Sequence, residues 1–234
     1  GNCYDEYNKK GLLYHKYGDG AVIAKIFTEQ LGLKSYSIKR SKSKKSINKI
    51  SLIDNNCLLF VSGKNNMKRD IQYLNDISLE YPYRDMDFKK KLIRAFISEV
   101  LSKTIIDSEK NQELFNYVWQ TYIRLDKLDS LSKSFSLIFL IELCEFLGIY
   151  PSDENINFEY FNLNSGEFTK SENVSDKNIT GDNLFFFKKI IKKEPVSIPT
   201  KNIRELMELL FDYYTLHHFD LSNIKSYKVI KSLD

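Results

Sequence analysis

Seven cations fall within the sixteen positions 34–49: Lys34, Lys39, Arg40, Lys42, Lys44, Lys45 and Lys49, with no acidic residue among them. Serines at 35, 37, 41, 43 and 46 fill the gaps. Lys and Arg neutralise phosphates and release their counterions, while hydroxyls and backbone amides hydrogen-bond phosphate oxygens. Tyr36 lies inside the run, and Tyr73, Tyr81 and Tyr83 follow in sequence. An exposed ring beside a cationic groove suits unpaired bases, because every base has a face that can stack. Lys64, Lys68 and Arg69 make a second basic cluster. Lys39, Arg40, Lys42, Lys44 and Lys45 are therefore the expected phosphate contacts, with Lys34, Lys68 and Arg69 as a second set. Tyr36 is the stacking candidate; an inward-facing core tyrosine is the alternative. For the run as a whole the competing account is a solvated loop without a ligand.

Catalytic arrangements fare worse. Gly18 and Gly20 lack the third glycine and the Gly-Lys-Ser/Thr of a phosphate loop. His217 and His218 are adjacent and so point about 100° apart on a helix; with His15 they are the only histidines, and no third ligand is placed by spacing. No Gly-x-Ser-x-Gly elbow occurs. Asp85 and Asp87 read as first-turn helix charges rather than a catalytic pair. Cys3, Cys57 and Cys144 are too few and too widely spaced for a disulfide framework or a zinc site, and they suit a reducing cytosol. The reading is of a binding protein with no catalytic residue, no metal and no cofactor.

The elements that must position the basic run divide the chain in two. Residues 1–82 hold 14 Lys/Arg against 8 Asp/Glu, or +6; the remainder hold 21 against 23, or −2, within a net charge of +4 for 234 residues. The first part reads as five short strands: 12–17, 21–28, 34–40, 57–61 and 71–79, with turns at 18–20, 29–33 and 63–66. Ile71, Tyr73, Ile77 and Leu79 carry the last strand. Five such strands in about 75 residues suit a small barrel or sandwich. Past residue 84 the period turns helical. Phe88, Leu92, Ile93, Phe96, Ile97, Val100 and Leu101 share one face, and Leu114, Phe115, Val118, Trp119, Tyr122 and Leu125 share another. Asp107 or Ser108 is the expected cap between them. Residues 132–147 are apolar almost all round and form the expected central helix, ended by a left-handed Gly148 before Pro151. Residues 151–182 are irregular, with a hairpin at 159–168. Helices are expected over 183–191, after Pro199, and over 223–233. No run reaches the ~18 apolar residues of a membrane span.

The order of these features resembles the recombination-mediator family RecO. Lys16-Tyr17-Gly18-Asp19, Phe27-Thr28-Glu29 before Leu31-Gly32, and Arg40-Ser41-Lys42-Ser43 resemble the start of its OB-fold. Lys68-Arg69-Asp70-Ile71, Tyr81-Pro82-Tyr83-Arg84, Glu113-Leu114-Phe115 and residues 146–151 resemble later segments, and residues 161–168 resemble its Phe-rich hairpin. Many members carry four zinc cysteines around that hairpin; residues 151–195 here hold none, as in the zinc-free branch. Phe158, Tyr160, Phe161, Leu163 and Phe168 are the side chains expected to hold it instead. The resemblance implies an α+β fold: an N-terminal OB-fold β-barrel (1–82), then an α-helical domain (83–234) with a small hairpin insertion. It implies a non-enzymatic mediator of DNA repair and homologous recombination. Such a protein binds single- and double-stranded DNA and anneals complementary strands. It contacts the C-terminal tail of single-stranded-DNA-binding protein, and with RecR it helps load RecA. The implied location is cytoplasmic, associated with the nucleoid. A receptor for an acidic tail with an apolar end needs a cation-rimmed pocket, for which Lys89–Lys91, Arg94, Arg124, Lys127, Lys188, Lys189, Lys192 and Lys193 are available. The alternative is an OB-fold protein-interaction scaffold that does not bind nucleic acid.

Overall fold

The computed structural model describes residues 4–17, 21–39, 57–66, 68–84, 87–106 and 109–233, with side chains at all of them except 4–10, 12–17, 21, 39, 64, 65 and 75. Five strands open the chain: β1 (Tyr4–Tyr17), β2 (Ala21–Thr28), β3 (Gly32–Lys39), β4 (Leu58–Asn66) and β5 (Ile71–Tyr81). They close a barrel in the order β1-β2-β3-β5-β4, with β4 returning to β1. All pairings are antiparallel except β3 with β5.

Closure depends on β1. Its first half pairs with β4 and its second half with β2, and the two pairings overlap at Gly11 and Leu12. A strand that serves both neighbours must bend, and glycine permits the close approach this needs. A Cβ at Gly11 would lie 2.6 Å from Ile26 Cγ2. Inside the barrel Val22, Ala24, Ile26, Tyr36, Ile38, Leu59, Val61 and Ile77 form one buried cluster. Alternation along β2 and β3 puts these on one face and leaves Ile23, Lys25, Ser35 and Ser37 on the other.

Strand starts and ends differ from the sequence reading in two instructive places. β4 runs on through residues 63–66, which read as a turn; the turn lies at 68–70 instead. Along β5, Asp76 faces Ser62 and Leu74 faces Gly63, so Asn75 is an extra residue. Such a bulge switches side-chain parity. Ile77 therefore points inward at 4% exposure, while Ile71 and Tyr73 point outward at 42% and 61%.

Compact packing groups Gly1–Asp129 as one unit and Ser130–Asp234 as another. The change from strand to helix falls near residues 82–87, as the sequence indicates, but the first two helices pack with the barrel. In α1 (Phe88–Thr104), Asp87 caps the start by accepting from Lys89 N at 2.7 Å. In α2 (Gln112–Lys127) the cap is Asn111, accepting from Leu114 N at 3.1 Å; Asp107 and Ser108 lie outside the described residues. Phe27 meets Phe115 edge-on with centroids 5.5 Å apart, so α2 covers the outer face of β2 at that end. Buried Asp126 fastens the strand-to-helix connection. It accepts from Tyr81 Oη at 2.8 Å and from Arg84 N at 3.1 Å. Buried Lys90 donates to the carbonyls of Asp126 (3.1 Å) and Leu128, satisfying the end of α2.

The second unit holds α3 (Phe135–Phe146), α4 (Gly181–Ile191), α5 (Thr200–Leu216), α6 (Lys225–Ser232) and a small sheet of β6 (Tyr160–Asn162), β7 (Glu167–Thr169) and β8 (Asn178–Ile179), ordered β7-β6-β8. Leu137, Phe139, Leu140, Ile141, Leu143 and Cys144 of α3 are at most 1% exposed, as a central helix requires. Gly148 takes φ +76°, and Ile149 N donates to Cys144 O at 3.0 Å, closing the helix as its sequence suggested. The expected hairpin is present. Phe161 is its anchor, with centroids 5.0 Å from Phe168, 4.8 Å from Phe187 and 5.9 Å from Tyr213. Leu163 and Phe168 are buried with it, while Phe158 and Tyr160 are half-buried. The third strand, β8, has no signal in the sequence: it is two residues long.

Candidate nucleic-acid interface

The parallel pairing of β3 with β5 decides which cations meet. Ser35 is opposite Ile71 and Ser37 opposite Tyr73. Across β2 the rungs continue, Lys25 opposite Ser35 and Ile23 opposite Ser37. Two rows thus cross three strands on the outer face: Lys25–Ser35–Ile71 and Ile23–Ser37–Tyr73. Lys68 and Arg69 sit in the turn that feeds β5, at the end of β3 where Lys34 lies. Lys39 is at the other end, about 16 Å further on at ~3.3 Å per residue.

The turn is built from within. Gln72 is buried, and its carboxamide oxygen accepts from Asn66 N at 2.7 Å. Its nitrogen donates to Asn66 O at 2.9 Å and to Arg69 O at 2.8 Å. Asn66 Oδ1 accepts from Lys68 N at 3.0 Å. Lys68 and Arg69 project from this braced loop and are exposed. The Arg69 guanidinium lies over the Tyr73 ring, 5.1 Å from its centroid. No carboxylate of the described residues pairs with Lys25, Lys34, Lys68 or Arg69. Asp70 and Asp76 are exposed nearby, the latter accepting from Ile77 N at 2.9 Å.

The site residues read from sequence therefore divide. Lys68 and Arg69 are exposed on one turn, and Lys34 is half-buried on the parity of Tyr36 and Ile38. Lys39 pairs through its backbone with Ala21, but its side chain lies outside the described residues, as do Arg40, Lys42, Lys44 and Lys45 entirely. Tyr36 is corrected: at 0% exposure it is one of the largest core side chains, so no base can reach its ring. Its parity with Ile38 inside a closed barrel is the reason. Ile71 and Lys25, which the sequence does not single out as site residues, share this outer face with Tyr73, which it names only among the aromatics near the run. Strict alternation would put Ile71 and Tyr73 on the face of Ile77, and the bulge at Asn75 separates them from it. The buried Gln72 between them, polar where a core residue should stand, is the available signal.

Two cations expected to be available for a docking pocket are also corrected. Lys90 is 2% exposed and Arg94 is 7% exposed, with its guanidinium 4.2 Å over the Tyr83 ring, so neither rims such a pocket. His217 Nε2 is 2.8 Å from Leu163 O, a structural contact. Among the described residues no cluster of three His, Cys, Asp or Glu side chains could hold a metal. None of their helices is long and apolar enough to cross a membrane. In the second unit a cleft combines Lys133, Arg204 and Lys231 with Ile203, Met207 and Ile230.

A closed five-strand barrel ordered 1-2-3-5-4, with an exposed cationic and aromatic outer face and helices after it, defines an OB-fold protein with a helical extension. No family model matches the chain. It is 29% identical over 226 residues to the DNA repair protein RecO of Flavobacterium psychrophilum, covering 93% of this chain and 94% of that one. It is 28% identical over 227 residues to that of Flavobacterium johnsoniae, with the same coverage, and 25% identical over 234 residues to that of Bacteroides fragilis, covering 95% and 97%. Each of these matches spans more than nine-tenths of both chains and agrees with the resemblance to the RecO family.

Proposed function

We propose that this protein is a non-enzymatic mediator of DNA repair and homologous recombination that binds single- and double-stranded DNA and anneals complementary strands. The observation that carries the reading is a set of cations without carboxylate partners among the described residues: Lys25 on the outer face of β2, and Lys68 and Arg69 exposed on the turn into β5, beside the strand β3 from which the basic run 39–45 departs. Lys39, Arg40, Lys42, Lys44 and Lys45 supply further phosphate contacts. Neutralising backbone charge and leaving base edges free is all that annealing requires, so no catalytic group enters. The family relationship supports the repair role. Residues 1–82 bind DNA in this reading, and residues 83–234 dock partners: RecR, through it RecA, and the acidic tail of single-stranded-DNA-binding protein. The cleft edged by Lys133, Arg204 and Lys231 has the cations and apolar floor such a tail needs. The protein works in the cytoplasm, at the nucleoid.

A salt titration of DNA affinity tests the reading. A protein held by phosphates gives a steep log–log slope, and each phosphate-contacting Lys or Arg removed reduces it by about 1. Absent or salt-independent binding would favour the protein-interaction scaffold instead.

A further inference from the structure

We infer that Tyr73, backed by Arg69 and flanked by Ile71, is a base-stacking platform that makes the barrel prefer unpaired nucleotides to duplex. The inference rests on the proposed DNA-binding reading and assigns the strand form that this face selects.

A 61% exposed tyrosine in the middle of a strand needs a reason. Tyr73 is outward because the bulge at Asn75 reverses parity, which frees its neighbour Gln72 to point inward and brace the turn. Arg69, carried by that turn, lies over the ring. The guanidinium covers one side of the ring and brings a positive charge next to it. The remaining exposed surface is flat, apolar and beside a cation. Across the rungs Tyr73 faces Ser37 of β3, with Ile23 of β2 beyond it, and Lys64 of β4 on the other side. A ring this exposed offers a surface on which a planar ligand can lie.

The chemistry chooses the occupant. An apolar protein partner would not require Arg69 over the ring with exposed Lys68 next to it in the same turn. A duplex offers phosphates to those cations but hides its base faces inside the stack. An unpaired strand offers both, phosphates about one nucleotide from a base that can leave its neighbours.

The test uses the full chain and three probes of equal length: a thymidine single strand, the matching duplex, and a single strand of abasic sites. Affinity is measured by fluorescence anisotropy at one salt concentration, and the salt slope by repeating the thymidine titration across a salt series. Tyr73→Ala should weaken binding of the thymidine strand about tenfold, change duplex and abasic binding less than twofold, and leave the salt slope unaltered. Tyr73→Phe should restore the thymidine affinity. Tyr73 is exposed, so the fold should persist; unchanged melting temperatures of both variants establish it. Equal losses on all three probes, or no loss on any, would overturn the stacking role while leaving the DNA-binding reading intact. If the unaltered protein binds none of the probes, both fall.

Discussion

Gln72 clasps Asn66 by two hydrogen bonds, accepting from its N–H at 2.7 Å and donating to its carbonyl at 2.9 Å. A buried carboxamide satisfied on both ends makes the β4–β5 turn rigid. The exposed Lys68 and Arg69 inherit their positions from it.

Gln72→Leu keeps the volume but leaves Asn66 N and the carbonyls of Asn66 and Arg69 without this partner. The loss should be about 1–3 kcal/mol, the cost of unsatisfied buried polar groups. Chemical denaturation measures it. DNA affinity should fall as well, although Gln72 itself touches no ligand, because Arg69 loses its fixed place over Tyr73. An unchanged affinity in a destabilised variant would show that the turn is not part of the interface.

Asp126→Ala removes the buried acceptor shared by Tyr81 Oη and Arg84 N. The Arg84 side chain is 68% exposed and 4.0 Å away, so its ion pair adds little. The expected loss is about 1–3 kcal/mol, from the hydrogen bonds. It should appear in the unfolding of the barrel-bearing unit, with Asp126→Asn intermediate.

Phe161 shows how the small sheet is held in a chain without zinc cysteines at 151–195. It is 1% exposed and in contact with Phe168, Phe187 and Tyr213. Phe161→Ala should cost about 3–5 kcal/mol. A chelator should leave the melting temperature of the unaltered protein unchanged; a drop would mean a metal takes part.

Much of this is legible from residue types. Strand β2 is read to the residue, because Val22, Ile23, Ile26 and Phe27 lie between a Gly-rich turn and Thr28. The helices follow from period 3.6 and from Asp87 and Gly148 at their ends. What is not legible depends on pairing. The bulge at Asn75 exists only because β4 is one residue shorter there, and it alone turns Tyr73 outward. The burial of Tyr36 follows from barrel closure, which no local pattern encodes. Lys90 reads as a surface cation until the carbonyls at the end of α2 are seen beside it. Charge locates the region of the candidate site, but topology decides which aromatic faces solvent.

Cys144 and Tyr122 give the last test, through ionisation. Burial pushes the Cys144 thiol up to about 12, against a weaker opposing hydrogen bond from Tyr214. At pH 8 it is therefore protonated as well as inaccessible, and thiolates are the reactive species. Alkylation under native conditions should spare the Cys144 peptide and label the half-buried Cys57, with Cys144 reacting once denaturant is added. Burial likewise raises the Tyr122 phenol well above its ordinary value, outweighing the nearby Arg94 charge. A raised acid binds its proton more tightly in the folded state than in the unfolded one. Its contribution is thus complete below the unfolded value near pH 10 and is lost as the pH climbs beyond it. Stability should be flat from pH 7 to 9 on this account and fall above about 10. Tyr122→Phe should remove up to about 1.4 kcal/mol per pH unit of that fall. An identical alkaline slope in the variant would mean that other groups, such as Tyr83, whose phenol is also raised mainly by burial, govern it.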